Sequence, residues 1–159
     1  MKPLTATLSM IAMVLGTQAS ALSCLRPDVA RTFQEVAAAE ESYVVLLGEF
    51  EFRAPPRQPV SNDAQPQQVI AQFTGSALGG SGFVDTAPLE LTLETTCAGP
   101  WCGGFPQPET EVLAFVELTP RGYVLSLGPC GGAVFSAVTA PIVEACMRGE
   151  RCQDGRAIR

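Results

Sequence analysis

The sequence predicts a mainly β fold: a small five-stranded Greek-key barrel with a helix at each end, stapled by disulfides. Three observations carry this. Helical periodicity near the start gives way to short segments of period-two alternation and returns only near the end. The first β segment is long and holds a glycine in its middle, as a strand that bends around a small barrel requires. Six cysteines stand in a chain of 159 residues, and an even count behind an export leader reads as a disulfide framework.

The leader is read from the first residues. Met1-Lys2-Pro3 is a basic start, Leu4 to Gly16 is apolar and uncharged, and Thr17 to Ser23 is small and polar. That order describes a secretory signal peptide over 1–23, with cleavage after Ala21 or after Ser23. The apolar run is shorter than the roughly 20 residues that span a bilayer, and no later run is long and charge-free enough to do so. A lipid anchor at Cys24 is disfavoured, because Ala21 stands three residues before it and a polar stretch separates it from the apolar core. About 138 residues remain, enough for one domain with its own core, taken here as 24–159. The expected location is secreted or periplasmic.

Charge narrows the partners. The one lysine, Lys2, lies in the leader, which leaves nine arginines against sixteen Asp and Glu and a formal charge of −7. Nucleic acid and anionic membranes need basic patches, so neither is expected as a partner. An acidic surface suits solubility, the simpler reading, or a basic partner; with export, a protein partner would be an exported protease or an envelope protein. Metal is the rival reading of the cysteines; the chain has no His and no C-x-x-C pair, so no metal and no cofactor is expected.

Pro27-Asp28-Val29 opens a helix expected to run to about Glu41, with Val29, Phe33, Val36 and Ala37 on one face. Ser42 to Phe52 is β-rich. Val45 and Leu47 place its first half under cover on both faces, while Glu49 and Glu51 leave one face of the second half wet. Gly48 marks the changeover, where a bulge or coil bends the strand. Residues 53–67 hold four prolines and read as a loop. A strand over 68–74 precedes a Gly-rich turn region over 75–82. Leu89, Leu91 and Leu93 alternate with Glu90, Thr92 and Glu94 in a half-buried strand. Cys97 to Gly104 is a compact loop. Strands over 111–118 and 122–127 flank Pro120-Arg121-Gly122 as a hairpin. Gly128 to Gly132 breaks the pattern around Cys130, and Ala140 to Met147 forms a last short helix. Five strands, the first long and coiled, fit an oligonucleotide/oligosaccharide-binding (OB) type of barrel, and are too few for a β-sandwich.

Several stretches resemble a known family. An N-terminal Cys24 with a Pro-containing lead-in, then Glu40-Glu41-Ser42-Tyr43-Val44-Val45-Leu46-Leu47-Gly48, resembles the opening of netrin-like modules, which include the N-terminal domain of the tissue inhibitors of metalloproteinases. Trp101-Cys102-Gly103-Gly104 before Glu111 to Val116 is similar, as is Gly122 to Leu127 leading to Cys130 and a last helix with Cys146. The resemblance implies a five-stranded barrel flanked by terminal helices. It also implies an inhibitor-like role, in which the free α-amine and carbonyl of an N-terminal cysteine chelate a protease's zinc and a neighbouring loop completes the contact ridge. The matching positions here are Cys24 and the Cys97–Cys102 loop with Trp101, and the candidate binding residues are Cys24, Leu25, Pro100, Trp101 and Cys102. The inhibitors begin with two cysteines separated by one residue, whereas Cys24 is followed by Leu25-Arg26-Pro27. Chelation through Cys24 also requires cleavage after Ser23.

All six cysteines are expected to pair, with Cys146–Cys152 a local staple. The resemblance implies Cys24–Cys102, leaving Cys97–Cys130. The other pairing, Cys97–Cys102 with Cys24–Cys130, stays open.

Other chemistry finds less support. Without a His, Ser-His and Cys-His nucleophiles are excluded. Glu49 with Glu51 and Glu90 with Glu94 are paired acids of the kind general acid–base catalysis uses. They alternate with apolar residues, which is the pattern of a solvated outer face. An enzyme is not expected. Three functions follow in order: a binding or inhibitor-like module acting through Cys24 and the Cys97–Cys102 loop, a structural or accessory envelope protein without a discrete site, and a carboxylate-based hydrolase.

Overall fold

The structure, a computed structural model, describes residues 23–54, 56, 65–150 and 152. The leader expected over 1–23 lies outside them except for Ser23, as do most of the loop over 53–67 and the chain beyond 152.

Helix α1 spans Val29–Ala37. Asp28 is its N-cap, its carboxylate accepting hydrogen bonds from the Ala30 and Arg31 amides at 2.8 and 3.1 Å. These satisfy two of the donors that a helix start leaves free. Asp28→Ala is therefore expected to lower stability by about 0.5–2 kcal/mol, and Asp28→Ser by less, in urea unfolding. The helix stops at Ala37, four residues short of the expected Glu41. Its apolar stripe ends there, and the chain must turn to bring Ser42 opposite Leu118 in the sheet.

The strands follow: β1 (Ser42–Phe52), β2 (Gln68–Gly79), β3 (Gly82–Asp85), β4 (Leu89–Thr95), β5 (Cys97–Ala98), β6 (Trp101–Cys102), β7 (Val112–Thr119), β8 (Gly122–Leu127) and β9 (Val134–Ser136). A short 3-10 turn over Ala137–Thr139 leads into helix α2 (Ala140–Met147). β1, β2, β4, β8 and β7 are neighbours in that order, and β1 also pairs with β7, so five strands close into a barrel. All its pairings are antiparallel except β4 with β8. This is the expected Greek-key barrel of the OB type, flanked by two helices.

β1 bends where expected. Up to Gly48 it pairs with β7, and from Leu46 to Phe52 it pairs with β2. Gly48 stands opposite Gly75 of β2, and a β carbon on Gly48 would run into the Thr74 carbonyl and the Phe73 ring. Only glycine lets the two backbones cross this closely. The Gly-rich stretch over 75–82 is therefore not the expected turn region. β2 continues through it to Gly79, and only Gly80-Ser81 turns, bringing Gly82 opposite Gly79 to start β3.

The barrel interior holds Leu46, Phe50, Phe73, Leu91, Leu93, Val116 and Leu125. Phe105 plugs one end and meets Phe52 edge-on at 6.2 Å. A second apolar layer lies outside the sheet. There Val45, Leu113 and Phe115 pack against Val29 of α1 and Ala140 and Val143 of α2. This explains why Val45 and Leu47 are covered on the face opposite the barrel, and why Val112 to Val116 are buried without alternation. β9, absent from the expected set, pairs with Val112–Ala114 where β8 has left that edge of β7.

Candidate functional site

The candidate residues meet at the end of the barrel where β8 exits. β5 and β6 form a miniature hairpin with Cys97 opposite Cys102 and Ala98 opposite Trp101. Its two-residue turn is Gly99-Pro100. Gly99 has φ 60°, and glycine in the first central position followed by the fixed φ of proline suits such a turn. The hairpin root is tied to β8: the Thr96 amide donates to the Leu127 carbonyl at 2.9 Å, and the Gly103 amide donates to the Thr96 carbonyl at 3.0 Å. A β carbon on Gly103 would collide with the Leu127 carbonyl, so the hairpin seats directly on the strand end.

From Leu127 the chain runs through Gly128-Pro129 to Cys130, which is bonded to Cys24 with 5.2 Å between α carbons. Pro27 lies against Gly131. The N-terminal lead and the hairpin thus flank one short segment, Leu127–Cys130. Leu25 is 81% exposed and Trp101 46%. A cleft of about 230 Å³ opens between Gly104–Pro106 and Leu127–Val134, and among the described residues no charged side chain lines it.

The disulfide pairing implied by the family resemblance is corrected here. The bonds are Cys24–Cys130, Cys97–Cys102 and Cys146–Cys152, so Cys24–Cys102 and Cys97–Cys130 do not form. The reason is the hairpin, which brings the α carbons of Cys97 and Cys102 to 4.0 Å and leaves Cys130 for Cys24. Cys24 and the Trp101 loop therefore share a barrel end without sharing a disulfide. The Cys146–Cys152 staple holds the last described residue against α1, where the Gln34 side-chain amide donates to the Cys152 carbonyl at 3.3 Å.

The paired acids separate. Glu90 meets Arg53 at 3.5 Å and Glu94 accepts from the Gln68 side chain at 2.6 Å, so both are engaged on the outer surface. Glu49 and Glu51 line a larger groove of about 780 Å³ between β1 and Pro106–Glu109. Sequence reasoning missed it, although Pro106 and Pro108 just before β7 carried the signal. Partial burial, and then Glu117 and Glu41, hold the Tyr43 hydroxyl above its ordinary value. A hydrogen bond from Arg148 holds the exposed Glu150 carboxylate below its own.

No helix among the described residues is long and apolar enough to cross a membrane. Comparison with protein-family models, with curated proteins and with solved structures finds no match.

Proposed function

We propose that this chain is an exported binding module that engages a protein partner through the ridge made by Cys24-Leu25 and the Pro100-Trp101 hairpin tip. One observation carries the reading: two large apolar side chains, Leu25 and Trp101, stay exposed at the same barrel end, each beside its own disulfide. A stapled hairpin and a stapled chain end lose little freedom on binding, so the cost of ordering them is small. Tryptophan is also among the residues most enriched at the energetic centre of interfaces. Export rests on the leader, and three disulfides fit an oxidising compartment.

The test compares Trp101→Ala with Glu90→Ala against a partner recovered by pull-down from envelope proteins. Trp101→Ala is expected to weaken binding by about 2 kcal/mol, roughly thirtyfold, while Glu90→Ala leaves it unchanged. Equal binding by two folded variants would place the site elsewhere and favour a structural envelope role.

The resemblance to metalloproteinase inhibitors supplies a narrower form of the same reading. Its support here is that Cys24 is exposed while its side chain is anchored to Cys130. Cleavage after Ser23 would then present the Cys24 amine and carbonyl on a fixed frame. Mass spectrometry of the mature N-terminus decides it: Leu22 as first residue removes the chelating amine.

A further inference from the structure

β1 loses its β7 partner at Gly48, opposite Val112. Beyond that point Glu49 to Phe52 stay paired with Thr74 to Ala71 of β2 on one edge. On the other edge they have no backbone partner among the described residues. The 780 Å³ groove runs along this edge. Its near wall includes four consecutive residues, Glu49, Phe50, Glu51 and Phe52, and it reaches Pro56 and, past Glu49, Thr74 of β2. A groove lying on one face of a strand would touch alternate residues only, so the wall is the strand edge itself.

The far wall is Pro106 to Glu109. Pro106 and Pro108 lack amide hydrogens at alternate positions, which weakens this segment as a strand, and it does not pair with β1. β7 therefore begins only at Val112. The result is a slot between an edge that is unpaired among the described residues and a proline-stiffened rim.

The slot is also charged. Glu49 and Glu51 on one wall and Glu109 on the other are exposed, and none of the three forms an ion pair among the described residues. Among the described residues, no Arg or Lys lines the groove. Glu49 and Glu51, two apart on a strand, project to the same side about 7 Å from each other. A strand laid against this edge would carry its own alternate side chains at the same spacing.

We propose that this slot binds an extended basic segment of another protein, which adds to the β1 edge as a strand and sets Lys or Arg at alternate positions against Glu49 and Glu51. Main-chain bonds to the open edge supply affinity, and the charge spacing supplies selectivity. This site is separate from the Trp101 ridge and does not depend on it.

The test uses the full mature chain and a fluorescein-labelled nonapeptide of alternating Lys and Val. Two controls accompany it: a block isomer with its lysines clustered at one end, and the alternating peptide N-methylated at every second residue. In fluorescence anisotropy at low salt the alternating peptide is expected to bind. Both controls, and the E49Q/E51Q variant with the alternating peptide, are expected to bind at least about tenfold more weakly. Half-molar salt weakens the wild-type complex and affects E49Q/E51Q less. Trp101→Ala leaves peptide binding unchanged, which keeps this result distinct from the ridge. Glu49 and Glu51 are exposed, and matching circular dichroism shows that their replacement leaves the fold intact. Absence of binding, equal binding of the block isomer, or undiminished binding by E49Q/E51Q overturns the proposal. So does binding seen only after residues 57–64 are replaced by Gly and Ser, which would make that loop the occupant.

Discussion

Serine at both Cys24 and Cys130 is expected to lower the unfolding free energy by about 2–5 kcal/mol. The two cysteines are 106 residues apart in sequence, so the bridge closes nearly the whole domain into one loop. For a loop of about 100 residues the chain-entropy relation yields about 4.7 kcal/mol. The Cys97–Cys102 bridge spans five residues, and the same relation assigns it about 2 kcal/mol. Urea unfolding of the two double-serine variants should therefore give a clearly lower midpoint for Cys24/Cys130, with the same slope. Equal losses would mean that the long bridge constrains an already compact unfolded chain. On the proposed ridge reading, losing the bridge that anchors Cys24-Leu25 is also expected to weaken partner binding under conditions where the domain stays folded.

The second large effect is at Gly48. In Gly48→Val the new β carbon meets the Thr74 carbonyl, the Phe73 ring at 2.7 Å and the Gly75 α carbon at 2.8 Å. None of these can retreat cheaply. Thr74 and Gly75 are held in the β1–β2 ladder, and Phe73 is fully buried against Phe50. Overpacking a rigid site costs about 1–3 kcal/mol and occasionally more, and here it also opposes the crossing that lets one strand serve two neighbours. Gly48→Val is expected to lose at least about 3 kcal/mol or to fail to fold, since whole domains hold only about 5–15. Gly80→Ala is the control. Nothing lies within 4 Å of its β carbon, and its effect should stay within about 0.5 kcal/mol in the same urea experiment.

Most of the barrel was legible because its signals are local. Leu89 to Glu94 alternate, and the structure buries Leu91 and Leu93 while Glu90 faces water. Val45 and Leu47 announced cover on both faces of β1, and the helices supply it. Gly48 marked the bend, and Asp28 the start of α1. The glycines over 75–82 misled, because a glycine that relieves a turn and one that admits a neighbouring backbone look alike in sequence. What separates them is Gly48, 27 positions earlier, brought opposite Gly75 by the register of two strands.

The same division holds for the sites. Trp101 in a Pro/Gly loop between two cysteines was visible as a candidate anchor, and its exposure follows from a hairpin too small to bury it. The pairing of those cysteines was not, because a disulfide needs proximity of α carbons, and the β5–β6 register decides which pair is close. Glu49 and Glu51 were readable as solvent-facing and nothing more. That they border an open strand edge follows from where β7 begins, which Pro106 and Pro108 delay to Val112. By itself the sequence determined the main extent of the five barrel strands, which faces are apolar, and that six cysteines pair, since periodicity and composition act over a few residues. Tertiary structure alone decided which cysteine meets which and which strand edge is left open among the described residues, because both depend on distances between segments far apart in the chain.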